Sequence, residues 1–279
     1  MSTKSTEPGK IIAAKMNTGQ FVWHDLMSTD HKAATSFYQR LFEWDLEVVD
    51  MGKPIGNYTM FKSEDTTLGG VVPMDPSYGN PSHWISYISV ADVDAACAKI
   101  KALGGDVPYD PFDIPNIGRT AVASDPTGAY FSPYKDNDEA YEPPAPRVGL
   151  FTWHELMSTD IEKAKPFYME IMNWDLDSMD LEESGTYWMF NTKRHENDDR
   201  SPESRAVAGA IQMPAKAGKE AASNWLPYVA VSDVPKVASE AKALGGSIYV
   251  PPTKIEEPTN VHFSVLAGPD GSMFGIVEV

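Results

Sequence analysis

Residues 21–46 read FVWHDLMSTDHKAATSFYQRLFEWDL, and residues 151–176 read FTWHELMSTDIEKAKPFYMEIMNWDL. The two stretches are identical at 14 of 26 positions with no gap, at an offset of 130. Further along, Trp84-Ile-Ser-Tyr-Ile-Ser-Val-Ala-Asp-Val answers to Trp225-Leu-Pro-Tyr-Val-Ala-Val-Ser-Asp-Val, and both run on to Lys-Ala-Leu-Gly-Gly at 101–105 and 242–246. The offset there is 141, so the second copy carries 11 extra residues, which the polar 194–205 stretch supplies. Asp125-Pro-Thr-Gly-Ala-Tyr-Phe then answers to Gly268-Pro-Asp-Gly-Ser-Met-Phe. A repeat of this length, with its landmarks in one order, means two similar folded units in one chain.

Within each copy the pattern alternates between strand and helix. Phe21–Met27 has the aromatic and apolar character of a strand. Ser28-Thr-Asp30 offers helix N-cap side chains. Ala33, Ala34, Phe37, Tyr38, Leu41 and Phe42 follow at helical spacing. Strands are expected around 44–49, 58–62, 69–74 and 85–90. A second helix starts at Asp92 and stops at Gly104-Gly105. Strands near 107–109, 120–124 and 130–134 close the copy. Each copy therefore reads β-α-β-β-β twice, an α+β chain of four such modules with helices on one face of an antiparallel-rich sheet. The organisation expected is a tail at 1–17, a domain at 18–140, a proline-rich linker at 141–147 and a domain at 148–279.

Composition narrows the partners. The net charge of −17 argues against nucleic acid and anionic membranes, which are held by basic patches. No apolar stretch is long enough for a membrane helix. The polar start lacks the apolar core of a signal peptide. Cys97 is the only cysteine, so no intrachain disulfide exists, in keeping with a cytoplasmic location. Its counterpart in the second copy is Ala238, which points to a small packed residue rather than a reactive thiol.

The pieces Thr29-Asp30…Ala34…Phe37-Tyr38, Asp92-Val-Asp…Leu103-Gly-Gly and Asp125-Pro-Thr-Gly128 resemble the vicinal oxygen chelate superfamily. So do Thr159-Asp160…Phe167-Tyr168, Asp233-Val…Leu244-Gly-Gly and Pro269-Asp-Gly271 in the second copy. That superfamily holds glyoxalase I, bleomycin-resistance proteins and extradiol dioxygenases. The resemblance implies two glyoxalase-like half-barrel domains, each with a cup. It also implies a divalent metal in the cup, held by His, Glu or Gln. The positions the resemblance assigns to those ligands are Trp23, Ile85, the Leu68-Gly-Gly-Val strand and Ser132. In the second copy they are Trp153, Leu226, the Val207-Ala-Gly-Ala strand and Gly275. None offers a good ligand, so the expectation is no metal and no other cofactor. A one-residue slip in register would instead put His24 and His154 at the ligand position and restore a divalent metal as the alternative.

Strand alternation gives the cup a different lining. If Trp23 faces inward, so do Asp25 and Met27, and likewise Trp153, Glu155 and Met157. Tyr87, Tyr228, Tyr130 and Met273 share that parity. Arg119 and His262 occupy equivalent positions near the rim. The ligand-contacting set expected is therefore Trp23, Asp25, Tyr87, Arg119, Tyr130, Trp153, Glu155, Tyr228 and His262. Asp25 and Glu155 are the candidates for general acid–base work. Each residue also has a structural reading: the aromatic side chains fill a core, and the carboxylates pair with Arg119 or a backbone N–H.

Three functions follow. The first is a protein that binds a small organic ligand in an aromatic cup without a metal. The second is an enzyme, a glyoxalase-like lyase or isomerase, or a dioxygenase or hydroxylase. The third is a non-catalytic scaffold. A small-molecule partner, no nucleic acid, no membrane, and a monomer or homodimer complete the expectation.

Overall fold

The computed structural model describes residues 18–52, 56–137, 144–181, 185–193, 205–214, 217–218, 221–256 and 259–279. The tail expected over 1–17, residues 141–143 of the linker, and residues 194–204 of the insertion with His195 lie outside the described residues. No helix among the described residues is long and apolar enough to cross a membrane.

The first copy runs β1 (Phe21–Ser28), α1 (His31–Phe42), β2 (Asp45–Asp50), β3 (Asn57–Ser63) and β4 (Thr66–Pro73). It continues with β5 (His83–Ser89), α2 (Val93–Ala102), β6 (Phe112–Ile114), β7 (Gly118–Thr120), β8 (Ala123–Ser124) and β9 (Tyr130–Asp136). The second runs β10 (Phe151–Ser158), α3 (Ile161–Met172), β11 (Trp174–Asp180), β12 (Thr186–Thr192) and β13 (Ala206–Gln212). It ends with β14 (Asn224–Val231), α4 (Val234–Ala243), β15 (Ser247–Ile255), β16 (Val261–Ala267) and β17 (Met273–Glu278).

Each copy makes one curled mixed sheet. The strand orders are β2-β3-β4-β1-β5-β9-β7-β6, with β8 on β9, and β11-β12-β13-β10-β14-β17-β16-β15. The α+β class and the repeated modules are as the sequence implies. Most pairings are antiparallel, but the first and last strands of a module run parallel, as in β1–β4, β5–β9 and β14–β17. The intervening helix is what permits that crossover.

Local chemistry sets the helix ends. Asp30, Asp92, Asp160 and Asp233 each cap a helix by accepting the N–H three residues on. Glu43 and Asn173 end α1 and α3 in the left-handed conformation. One expected strand lies elsewhere. Residues 107–109 are not a strand, and the ladder starts at Phe112.

By contacts the chain divides into two compact units, 1–22 with 87–143 and 157–224, and 23–86 with 144–156 and 225–279. Each unit takes residues from both copies. In the second unit Phe37 and Tyr38 of α1 pack edge-on against Phe274 of β17, with ring centroids 6.1 and 5.2 Å apart. Trp44 donates its indole N–H to the Gly149 carbonyl at 2.8 Å. The first unit repeats this arrangement. Phe167 and Tyr168 of α3 lie 6.2 and 5.6 Å from Phe131 of β9, and Trp174 donates to the Gly19 carbonyl at 3.0 Å. The first helix of one copy thus packs on the last strand of the other.

Candidate functional site

Within the second unit, Trp23, Asp25, Tyr58 and Gly70 form one hydrogen-bonded group on β1, β3 and β4. Asp25 pairs with Gly70 in register, and Met60 pairs with Gly70 from the other side. Asp25 is only 6% exposed, which requires that its charge be met by donors. Its Oδ1 accepts the Trp23 indole N–H at 3.1 Å and the Tyr58 hydroxyl. The indole N–H also lies 3.0 Å from the Tyr58 oxygen.

Gly70 makes room for this arrangement. A methyl group built there would stand 2.0 Å from the Tyr58 hydroxyl oxygen. The device recurs in the first unit, where a methyl on Gly209 would stand 1.8 Å from the Tyr187 hydroxyl. It recurs again in the second unit, where a methyl on Gly275 would fall 2.2 Å from the Tyr228 ring. The neighbouring Gly69 serves the backbone instead: a methyl there would meet the His24 carbonyl oxygen at 1.9 Å, so only glycine lets β4 lie against β1.

The second copy's share of this unit is more apolar. Leu226, Tyr228 and Val265 are buried together, with Trp153, Val250, Phe263, Met273 and Val277 partly buried against them. The Tyr228 hydroxyl donates to Glu155 at 3.3 Å.

Of the other sequence candidates, Arg119, Tyr87 and Tyr130 belong to the first unit. Arg119 binds Asp94 at 2.7 and 2.8 Å, Asp113 at 2.9 Å and the Pro111 carbonyl at 3.2 Å. Tyr87 meets Tyr134 edge-on at 6.0 Å, and Tyr130 is 49% exposed. His262, in the second unit, sits 3.0 Å from Glu278, which also accepts the Val234 N–H.

His24 and His154 lie on the opposite strand face from Trp23 and Trp153, as alternation requires. Both are buried, with their Nε2 atoms 2.7 Å apart and their rings nearly parallel. His24 also stacks on Phe151 at 4.0 Å. Its Nδ1 lies 3.4 Å from the Leu68 carbonyl, so Nδ1 carries its proton and its Nε2 accepts from His154. Burial holds His24 down at a pKa of about 3, and burial with the neighbouring His24 pushes His154 well below the usual imidazole range.

These donors do not fit a divalent ion. Two imidazole nitrogens on one tetrahedral ion, each about 2.0–2.1 Å from it, stand roughly 3.3 Å apart. The His24–His154 separation of 2.7 Å is that of a direct hydrogen bond. At the positions where the family resemblance puts ligands, Trp23 and Trp153 offer indoles, Ile85 and Leu226 hydrocarbon, Ser132 a neutral hydroxyl and Gly275 only the space a tyrosine ring takes up, and the 68–71 and 207–210 strands carry no carboxylate or imidazole. Among the described residues no three His, Cys, Asp or Glu side chains converge.

Residues 20–132 match the Glyoxalase/Bleomycin resistance protein/Dioxygenase superfamily. Over 258 residues the chain is 30% identical to CFP32 of Mycobacterium tuberculosis, which carries a provisional glyoxylase name, covering 92% of this chain and 93% of that one. The chain belongs to this superfamily. Another relative of this superfamily member is the anthracycline biosynthesis protein DauV of Streptomyces sp. (strain C5), 28% identical over 278 residues, with 94% of each covered. Among solved structures, the 2,2',3-trihydroxybiphenyl 1,2-dioxygenase of Sphingomonas wittichii strain RW1 aligns with a TM-score of 0.62 at 10% identity, covering 94% of this chain and 91% of that one. The Mn(II)-bound glyoxalase of Novosphingobium aromaticivorans aligns at 0.56 and 17% identity, covering 94% and 82%. At those identities the likeness is one of fold.

Sequence reasoning passed over Tyr58 and Tyr187. A signal for them is present: Tyr58-Thr-Met-Phe61 returns as Tyr187-Trp-Met-Phe190, and each is followed by a strand with a glycine opposite the methionine.

Proposed function

We propose that this superfamily member binds a small aromatic ligand against its sheets, and that it does so without a resident divalent ion. The observation that carries the reading is the tyrosine laid over glycine at Gly70, Gly209 and Gly275. At two of these places a phenol meets a carboxylate, Tyr58 with Asp25 and Tyr228 with Glu155. Trp23 and Trp153 add flat apolar surface beside a single carboxylate each, a lining suited to an organic ring with a polar edge. The name of the Streptomyces relative supports a choice of probe, since anthracyclines are fused-ring aromatic molecules.

The test is a thermal melt of the chelator-treated full chain against a panel of planar aromatic compounds, fused-ring ones included. A ligand at 100 times its Kd stabilises by about 2.7 kcal/mol, a rise of several degrees. The reading predicts such a rise in the presence of chelator. No rise with any compound, or a rise that chelator abolishes, would contradict it.

A second reading is an acid–base enzyme. The buried Asp25, with the Tyr58 phenol on it, favours this reading as a proton-transfer site. That reading predicts that Asp25→Asn removes turnover while ligand-induced stabilisation survives.

A further inference from the structure

Within the second unit, β1 and β10 belong to different sheets, so no backbone ladder joins them. Side chains make their contact. It centres on the His24–His154 hydrogen bond and on Phe151, whose ring lies 4.0 Å from His24, 5.6 Å from Trp44 and 5.3 Å from Trp84. One proton fits between the two Nε2 atoms. His24 carries its own on Nδ1, toward the Leu68 carbonyl of β4, and accepts the His154 proton on Nε2. A further proton on that Nε2 cannot coexist with the contact. Leu68 and Gly69 face His24 with backbone from β4, and Phe151 faces it with a ring from β10; none of these carries a charge. The charge that acts on His154 is that of His24. Asp25 and Glu155, the next residues along each strand, lie on the other strand face.

Two further observations bear on the same junction. Ser86 of β5 shares a strand face with Trp84, is fully buried, and its hydroxyl finds no partner among the described residues. Opening to water satisfies that hydroxyl. The histidines are also one-sided: His24, His31, His83, His154 and His262 all belong to the second unit, and the first unit has none among the described residues.

We propose that the His24–His154 contact is an acid-sensitive clasp: mild acid parts β1 from β10 and opens the second unit locally, while the first unit stays closed. Trp23 with Asp25 and Trp153 with Glu155 ride on the same two strands, so any site on their face comes apart with the clasp. The opening itself depends on no ligand.

Thiol labelling of the full chain with dithiodipyridine tests this, at pH 7.5 and pH 5.5, with each rate divided by that of glutathione. Cys97, buried in α2, reports on the first unit. Ser86→Cys places a second thiol at a fully buried position of the second unit. An imidazole with an unfolded-state pKa of roughly 6.5 raises the open population about tenfold over that interval, so the introduced thiol should react about tenfold faster at pH 5.5 and Cys97 less than about twofold faster. In a His24→Gln, His154→Gln background the rise should vanish. No rise at the introduced thiol, an equal rise at Cys97, or a rise that survives the double histidine variant overturns the proposal. If the double variant does not fold, the contrast between the two thiols in the histidine-containing chain decides alone.

Discussion

Between pH 8 and pH 5 the protein is expected to lose stability, His24 alone contributing about 2 kcal/mol at about 1.36 kcal/mol per pH unit below an unfolded-state pKa of roughly 6.5, with His154 adding to the loss in the same direction. In the folded chain both imidazoles are neutral, since His24 is held at a pKa of about 3 and His154 well below its usual range. Above pH 6.5 neither state binds a proton and the pair has no pH dependence. Below it the unfolded chain takes up protons that the folded chain refuses, so stability falls with falling pH until the folded pKa is reached. The geometry explains the refusal at His24, whose second proton would sit on Nε2 and meet the His154 N–H head-on at 2.7 Å; at His154 the cause is burial first and the neighbouring His24 second. Urea midpoints at the two pH values read the loss. In a His24→Gln, His154→Gln double variant the difference should shrink to that of the remaining groups. A loss of the same size in the double variant would contradict the account.

The first copy made alone, as residues 1–137, is expected not to fold as a monomer. Phe37, Tyr38, Leu41 and Trp44 are all at most 6% exposed in the full chain. They share one core with Val229, Leu266, Phe274 and Ile276 of the second copy, which the fragment lacks. Exposing large apolar side chains costs about 1.5–3 kcal/mol each. Four of them cost about 6–12, against a total stability of about 5–15 kcal/mol for an ordinary domain. Near-ultraviolet circular dichroism and gel filtration of 1–137, with and without 144–279, check this. Native-like signal should return only on mixing. A monomeric 1–137 with native signal would contradict the packing described.

How much of this was legible in the sequence follows from the range of each interaction. Helix starts were readable because an N-cap acts over three residues, as at Asp30 and Asp160. The parity of β1 was readable because strand faces alternate locally. The hydrogen bond between His24 and His154 joins residues 130 apart, and the repeat alone does not say that equivalent residues touch. The partners of Asp25 depended on a tyrosine two strands away, whose reach is set by a missing side chain at Gly70. Arg119 shares its position in the repeat with His262, yet it is satisfied by Asp94 and Asp113, charges whose placement depends on the tertiary fold.

The proposed reading leaves the chain without a resident divalent ion. Metal content decides between that reading and a metal site. The full chain would be incubated in turn with Mn(II), Fe(II), Ni(II) and Zn(II), desalted, and measured by mass spectrometry. The account predicts less than about 0.1 ion per chain for every metal, since a built site keeps its ion through desalting. One or more tightly held ions per chain would contradict it.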